Sequence, residues 1–342
     1  MNTDYTDLIK RVDMLEDTLN NTNDSLQSAM DAIVALLNQN KSLVSDMGTI
    51  NNLLPNIRYE ICDPRLTKHV FPKFYGFEET IAMICNEGAS LARFGDGEFS
   101  VMRCEERYSF QRIDEILAKR LKEVLQSDKK GLLIGVADNF GNLDKYNPSA
   151  RGGIRRYMTE NVRDYLDNYL SEDRLYVDAY MTRFYAMYQD NHGDGPSVRV
   201  KSLRKMWDKR NIIMVEGAQT RLGLGNDLFD NALSIRRILT PIHNAFDRYE
   251  DIYSACINNA NENDLFIIAM GPSAAVLVYD LYERGLQALD VGHIDIEYEY
   301  MRFGGGGRCT VPYKYNGEVE GGNQVDDPHD PWYEKQIVSD CS

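Results

Sequence analysis

Apolar residues in the first 54 positions recur in alternating steps of three and four. Tyr5, Leu8, Val12, Leu15 and Leu19 are followed by Leu26, Ala29, Ile33 and Leu36, then by Leu43, Met47, Ile50 and Leu54. Thr22 and Asn40 are the skipped positions of this seam; no Gly or Pro interrupts before Gly48, and Pro55 closes the run. A period of 3.5 held over about seven heptads is that of a left-handed coiled coil. It favours that arrangement over one amphipathic helix packed on its own globular domain. With Tyr5 at a, residues Leu8, Leu15, Leu36 and Leu43 fall at d and Asn40 falls at a. A buried Asn at a meets its twin only when the helices are parallel and in register. The spacing therefore predicts a parallel coiled coil, with a dimer favoured and a trimer as the alternative.

The pattern changes after a patternless stretch at 55–75. Helical periodicity over Phe77–Glu87, Ile113–Gln126, Tyr157–Leu170, Lys201–Asp208, Tyr249–Asn261 and Ala274–Arg284 alternates with short apolar runs. The runs are Ser90–Phe94, Gly131–Ala137, Leu175–Thr182, Asn211–Val215, Ser234–Leu239, Leu265–Met270 and Ala288–Val291. Strands alternating with helices predict an α/β domain with a mostly parallel sheet, whose ligands bind at the carboxyl ends of the strands. The expected division is a coiled-coil helix at 1–54, a linker at 55–75, an α/β domain at 76–303 and a Gly-, Asp- and Pro-rich tail at 304–342 with weak structural signals.

The formal net charge is −15. Residues 1–54 carry eight acidic and three basic side chains and residues 304–342 seven and three, so the ends look like solvated appendages. Such a chain is poorly suited to coating nucleic acid, where Lys and Arg must neutralise phosphates. It has no polybasic run for anionic lipid, no apolar run long enough to span a bilayer and no signal-peptide pattern at its start. Six cysteines without a CxxC pair read as reduced thiols of a cytoplasmic protein.

Candidate chemistry clusters just past the strands. In Arg93-Phe94-Gly95-Asp96-Gly97-Glu98 two glycines allow a tight turn and set two carboxylates two residues apart, where an extended loop aims both at one point. Hard cations such as Mn²⁺ or Mg²⁺ want such oxygens together with substrate phosphates; a solvated turn is the plainer alternative. In His293-Ile294-Asp295-Ile296-Glu297-Tyr298-Glu299, an extended chain puts His293, Asp295, Glu297 and Glu299 on one face, whereas a helix pairs His293 with Glu297. The turn at Gly271 and Ser273 precedes a helix whose N-terminus suits a diphosphate. Arg183, and Arg221 and Asn226 in 216–227, reach the same sheet edge, where arginines suit a nucleoside diphosphate.

Together these stretches resemble the GT-D-fold glycosyltransferases. The likeness rests on 92–98, Thr182-Arg183, Thr220–Ala232, Gly271–Ala274 and Asp290–Glu299, in that order, and extends to Tyr315-Asn316-Gly317-Glu318. It implies a Rossmann-like domain that moves a hexose from a UDP-sugar to a glycan or glycoprotein acceptor, as in bacterial surface glycan assembly, with Mn²⁺ or Mg²⁺. By this resemblance Asp96 and Glu98 hold the metal, while His293 and Glu299 act at the reaction centre with Glu299 as general base. Arg93, Arg183, Arg221, Asn226, Gly271 and Ser273 then serve the donor. The same His and carboxylates also fit a metal-dependent phosphoesterase, and the coiled coil fits a nucleotide-binding scaffold without catalysis.

Overall fold

The computed structural model describes residues 2–61, 67–105, 110–303, 305 and 307–342, with the side chains of 2–6, 49 and 51–55 left out. Cys62, Gly304, Gly306 and the side chains of Tyr5 and Leu54 lie outside the described residues. Two compact units result, residues 1–57 and 58–342.

The first unit belongs to one helix, α1 (Asn2–Ile61), which Pro55 does not end. Within a single chain its seam is bare, with Leu15 68% and Leu36 61% exposed. An isolated apolar stripe of this length is what a coiled coil covers.

The second unit is built on nine strands: β1 (Lys73–Phe74), β2 (Ser90–Phe94), β3 (Leu132–Val136), β4 (Leu175–Asp178), β5 (Asn211–Gly217), β6 (Ser234–Thr240), β7 (Leu265–Ala269), β8 (Gln287–Asp290) and β9 (Ile337–Asp340). They form one sheet in the order β1-β4-β3-β2-β8-β7-β5-β6-β9, and every pair is parallel. Both faces of such a sheet must be covered, so its strands read as continuous apolar runs. Along β7, Phe266 and Ile268 join one core while Leu265 and Ile267 join the other. The first core is closed by α3 (Asp96–Met102), α4 (Glu115–Gln126), α5 (Pro148–Tyr157), α6 (Glu160–Leu166), α8 (Tyr249–Asn259) and α9 (Ser273–Glu283). The second is closed by α2 (Phe77–Asn86), α7 (Gly195–Leu203) and α10 (Ile294–Phe303).

Four expectations need correction. The helix expected at 157–170 is confined to α6 at 160–166, and a separate helix, α5, precedes it at 148–157. Asn147 caps α5 and Thr159 caps α6, each side chain accepting a backbone N–H three residues on. The strand expected to reach Thr182 stops at Asp178, whose carboxylate accepts from Tyr180 N at 2.9 Å and starts a 3₁₀ turn. The linker is partly structured, since α1 runs to Ile61, Tyr59 is buried and β1 pairs with β4. The tail is no loose appendage: α11 (Pro331–Gln336) leads into β9, which pairs with β6 at the sheet edge.

Candidate active site

A cleft of about 1320 Å³ opens at the carboxyl ends of β2, β5, β7 and β8, where an open parallel sheet presents its loops to a ligand. Its floor is fixed by Arg93. Nε donates to Asp290 O at 2.7 Å, Nη2 to Asp290 Oδ1 at 2.7 Å, and Nη1 to Thr182 Oγ1 at 2.7 Å and Ala179 O at 3.1 Å. Two glycines make room for it. A Cβ at Gly135, beside Arg93 in register, would stand 3.1 Å from its Cγ. At Gly292 (φ +48) a Cβ would collide with the guanidinium itself. Arg93 touches the cleft but ties the ends of β2, β4 and β8 together, so it is engaged with the protein rather than with a donor.

Asp96 and Glu98 do not sit in an extended loop. They are the first and third residues of α3, where the helix dipole favours acids. Glu98 Oε2 accepts Gly95 N at 2.7 Å, a capping-box bond. Burial first, then the charge of Asp290 and that of Asp96, push the Glu98 carboxyl up to about 7, against two backbone N–H bonds. Asp96 is exposed to the cleft. The charges of Asp96, Glu98 and Asp290 act on one another, but the three are not among the described groups whose ligand atoms all lie within 4.8 Å of one another, so a cation here would be held by Asp96 and Glu98 together with substrate oxygens.

The stretch 293–299 enters α10, which settles its two alternatives in favour of the helix. Residues four apart then share a face, and the acids divide into two pairs. His293 and Glu297 face the loop after β4. There Glu297 Oε2 accepts Tyr185 N at 3.0 Å and Ala186 N at 2.8 Å. Glu318 of the tail accepts at Oε1 from Arg183 Nη2 at 2.6 Å, and His293 Nδ1 stands 3.1 Å from the same oxygen. Burial works against the Glu318 charge, but Arg183 and His293 overcome it and hold the carboxyl well below its usual range. His293 Nδ1 also lies 3.2 Å from Arg183 Nη2, which can only donate, so Nδ1 accepts from Arg183 or donates to Glu318 according to the tautomer of the ring, and in the second tautomer Nε2 is the acceptor on the cleft lining.

Asp295 and Glu299 turn the other way, into a buried network. Asp295 Oδ1 accepts Gly223 N at 2.9 Å and Asn226 Nδ2 at 2.7 Å, while its Oδ2 pairs with Lys314 Nζ at 2.5 Å. Glu299 Oε1 accepts Asn226 Nδ2 at 2.7 Å, and Arg302 and Lys314 lie beside it. Glu299 is buried and does not line the cleft, nor does Asn226. Its carboxylate neutralises the buried Lys314 and the exposed Arg302, and it is engaged within the protein rather than facing the cleft. Two further expected site residues have their side chains engaged within the protein. Arg221 holds the tail through Tyr313 O at 2.8 Å and Asp326 O at 2.7 Å, and Ser273 Oγ donates to Met270 O at 3.1 Å. Arg183 and Gly271 do line the cleft.

Sequence reasoning passed over much of the lining. Phe110 stacks on His243 with centroids 5.7 Å apart, and Tyr315 meets both edge-on at 5.5 and 5.6 Å. Across the cleft stand Tyr157 and Tyr180, the latter donating to Asn139 Oδ1 at 3.0 Å. These residues come from separate segments with no shared motif; only the weak likeness at 315–318 pointed to the tail. Among the described residues one His–carboxylate group has ligand atoms within 4.8 Å of one another: His69, Asp164 and Asp167. It lies off the cleft, and both His69 nitrogens are already engaged, by Asp167 at 2.7 Å and Glu160 at 3.0 Å.

Known proteins resemble this chain in sequence and shape. The sequence model of a family described as glycosyltransferase GT-D fold matches residues 91–319. A probable glycosyl transferase Gly of Streptococcus gordonii is 32% identical over 267 residues, 78% of this chain and 38% of its own length. Glycosyltransferase GlyD of Streptococcus pneumoniae serotype 4 is 32% identical over 267 residues, 77% of this chain and 32% of its own. The chain thus spans between 32% and 38% of the length of these curated relatives. A solved structure described as the highly conserved domain of unknown function 1792, with a distinct glycosyltransferase fold, is 34% identical with a TM-score of 0.72. It covers 79% of this chain and 96% of that one. A structure described as a new glycosyltransferase from Streptococcus sanguinis is 29% identical with a TM-score of 0.73, over 80% of this chain and 100% of that one.

Proposed function

The chain belongs to the family of GT-D-fold glycosyltransferases, and from that premise we propose that it transfers a hexose from a UDP-sugar to a glycan or glycoprotein acceptor. The observation that carries this reading is the convergence, on one cleft, of the Asp96–Glu98 pair, the turn at Gly271 that opens α9, and His293 held by Glu318. The diphosphate lies against the start of α9, where free backbone N–H groups and the helix dipole favour an anion. Asp96 and Glu98 hold Mn²⁺ or Mg²⁺. Bound there, the cation supplies positive charge against the diphosphate that leaves. Phe110, His243 and Tyr315 offer flat faces to the pyrimidine. Arg183 adds a cation at the same end of the cleft, with Glu318 keeping it oriented.

His293 is the general base of this scheme. The acceptor hydroxyl loses its proton to His293 Nε2 as its oxygen bonds to the anomeric carbon. The bond from that carbon to the diphosphate oxygen breaks, and the electron pair leaves with UDP. Attack opposite the leaving group inverts the anomeric centre. Glu299 supports the reaction from beneath, by fixing α10 through Asn226 and Lys314. Release of UDP from UDP-hexoses, with Mn²⁺ and a sugar acceptor, tests the reading.

Residues 76–303 with the tail form the catalytic domain, and α1 joins two chains as a parallel coiled coil about 75 Å long at 1.5 Å per residue. Asn40 at a argues for register, because an unpaired buried amide costs about 1–3 kcal/mol. Removal of residues 1–54 is expected to give a folded monomer that still turns over donor. Light scattering on both proteins checks this; a monomeric full-length chain at micromolar concentration would refute the coiled coil. Among the described residues no helix is long and apolar enough to cross a membrane. The described cysteines are free, which suits a reducing compartment, and we place the reaction in the cytoplasm.

A further inference from the structure

Tyr157 is the last residue of α5, on the wall of the cleft. Its hydroxyl oxygen is buried and has no hydrogen-bond partner. A buried polar atom left unsatisfied destabilises a fold by about 1–3 kcal/mol, and an unpaired group of this kind calls for a specific reason. The neighbours narrow that reason. Tyr180, which also lines the cleft, has its hydroxyl committed to Asn139. Asp96 stands near enough for its charge to act on the phenol, yet does not accept its proton. A phenol is a neutral donor at physiological pH, since its ordinary pKa is about 10. What the hydroxyl lacks is an oxygen acceptor, and one that arrives with a ligand would come in next to Asp96.

We propose that Tyr157 is a donor-binding residue whose hydroxyl donates to an oxygen of the nucleotide sugar, on its diphosphate or on the hexose being transferred. The inference rests on the donor reading above and assigns that site a contact from α5, a segment without any phosphate-binding motif. It also gives the orphan a purpose. A group unpaired in the empty protein and paired in the complex adds its hydrogen bond to binding without first surrendering one to the fold.

The test is Tyr157→Phe in the full chain, which removes only the oxygen. Three quantities are read: thermal unfolding without ligand, calorimetric affinity for UDP, UDP-glucose and UDP-galactose with Mn²⁺, and steady-state kinetics. Because the hydroxyl has no partner in the empty protein, the melting temperature is expected to stay or rise. The kcat/KM for donor is expected to fall about 10-fold or more, the equivalent of one lost hydrogen bond. Weaker binding of UDP itself places the contact on the diphosphate; weaker binding of the UDP-hexoses alone places it on the sugar. A lower melting temperature with unchanged donor kinetics would show a hydroxyl that serves the fold through a resident water, and would overturn the proposal. So would a rise confined to the acceptor KM. Wild-type protein that binds no UDP overturns the donor reading and this inference with it, whereas active wild type beside an unimpaired variant overturns the inference alone.

Discussion

Asp96→Ala is expected to lower kcat by about 10²–10³-fold, the scale of losing one group that stabilises developing charge, while the protein keeps its melting temperature within a few degrees. The two readouts separate because of where the residue sits. Asp96 is exposed at the first position of α3, and the cap of that helix is made by Glu98 on Gly95. Its place in the first turn of α3 contributes an acid–dipole interaction of about 0.3–1 kcal/mol. Glu98→Ala is a less clean probe, since it also removes the capping bond, at a cost of about 0.5–2 kcal/mol. UDP release and circular dichroism measured together decide the matter. Full activity of the Asp96 variant, or wild-type activity undiminished in excess EDTA, would remove the metal from these carboxylates.

His293→Gln should lower kcat by roughly 10²–10⁴-fold with donor affinity little changed, because glutamine fills similar space but takes no proton. Glu299→Gln serves as the contrast. Its carboxylate balances Lys314 and Arg302 beneath the cleft, and disturbing a buried ion pair costs stability, up to about 3–5 kcal/mol when one partner is lost outright. The expected loss at Glu299 is therefore in melting temperature, and at His293 in turnover. Single-turnover kinetics with saturating donor distinguish them. A His293 variant that reacts at the wild-type rate, beside an inert but well-folded Glu299 variant, would restore Glu299 as the base.

Much of the architecture was legible because it depends on local pattern. The seam from Leu8 to Ile50 keeps a period that one helix alone does not need, and β2, β3, β5 and β7 are buried on both faces, so their apolar runs stand out. What was not legible depends on contacts far apart in sequence. Periodicity left 293–299 open between strand and helix, and tertiary packing decided it: Ile294, Ile296, Tyr298 and Tyr300 all enter one core. Helix α5 was hidden by Gly152 and Gly153, which weaken helical periodicity, although Asn147-Pro148 is an ordinary helix start, as Thr159 is for α6. Asp330-Pro331 marks the start of α11 in the same way within a stretch read as unstructured.

The candidate site divides along the same line. The Gly95–Glu98 and Gly271 turns are local, so their place at the sheet edge followed from the strands before them. Arg221, Asn226 and Glu299 share that edge in sequence, but their side chains point into the protein, where burial demanded partners. Lys314 and Glu318 supply the countercharges for Asp295 and Arg183 from a tail whose composition gave no sign of it.

The central claim is transfer of a hexose from a UDP-sugar at this cleft. Its most direct test is UDP release by the purified full-length chain, measured across UDP-hexoses with Mn²⁺ or EDTA and with or without a glycan acceptor. The account predicts release from one UDP-hexose that requires acceptor and cation together, with the sugar recovered on the acceptor in equal amount. Release of UDP without transfer whatever the acceptor, or phosphate as the product, would contradict it.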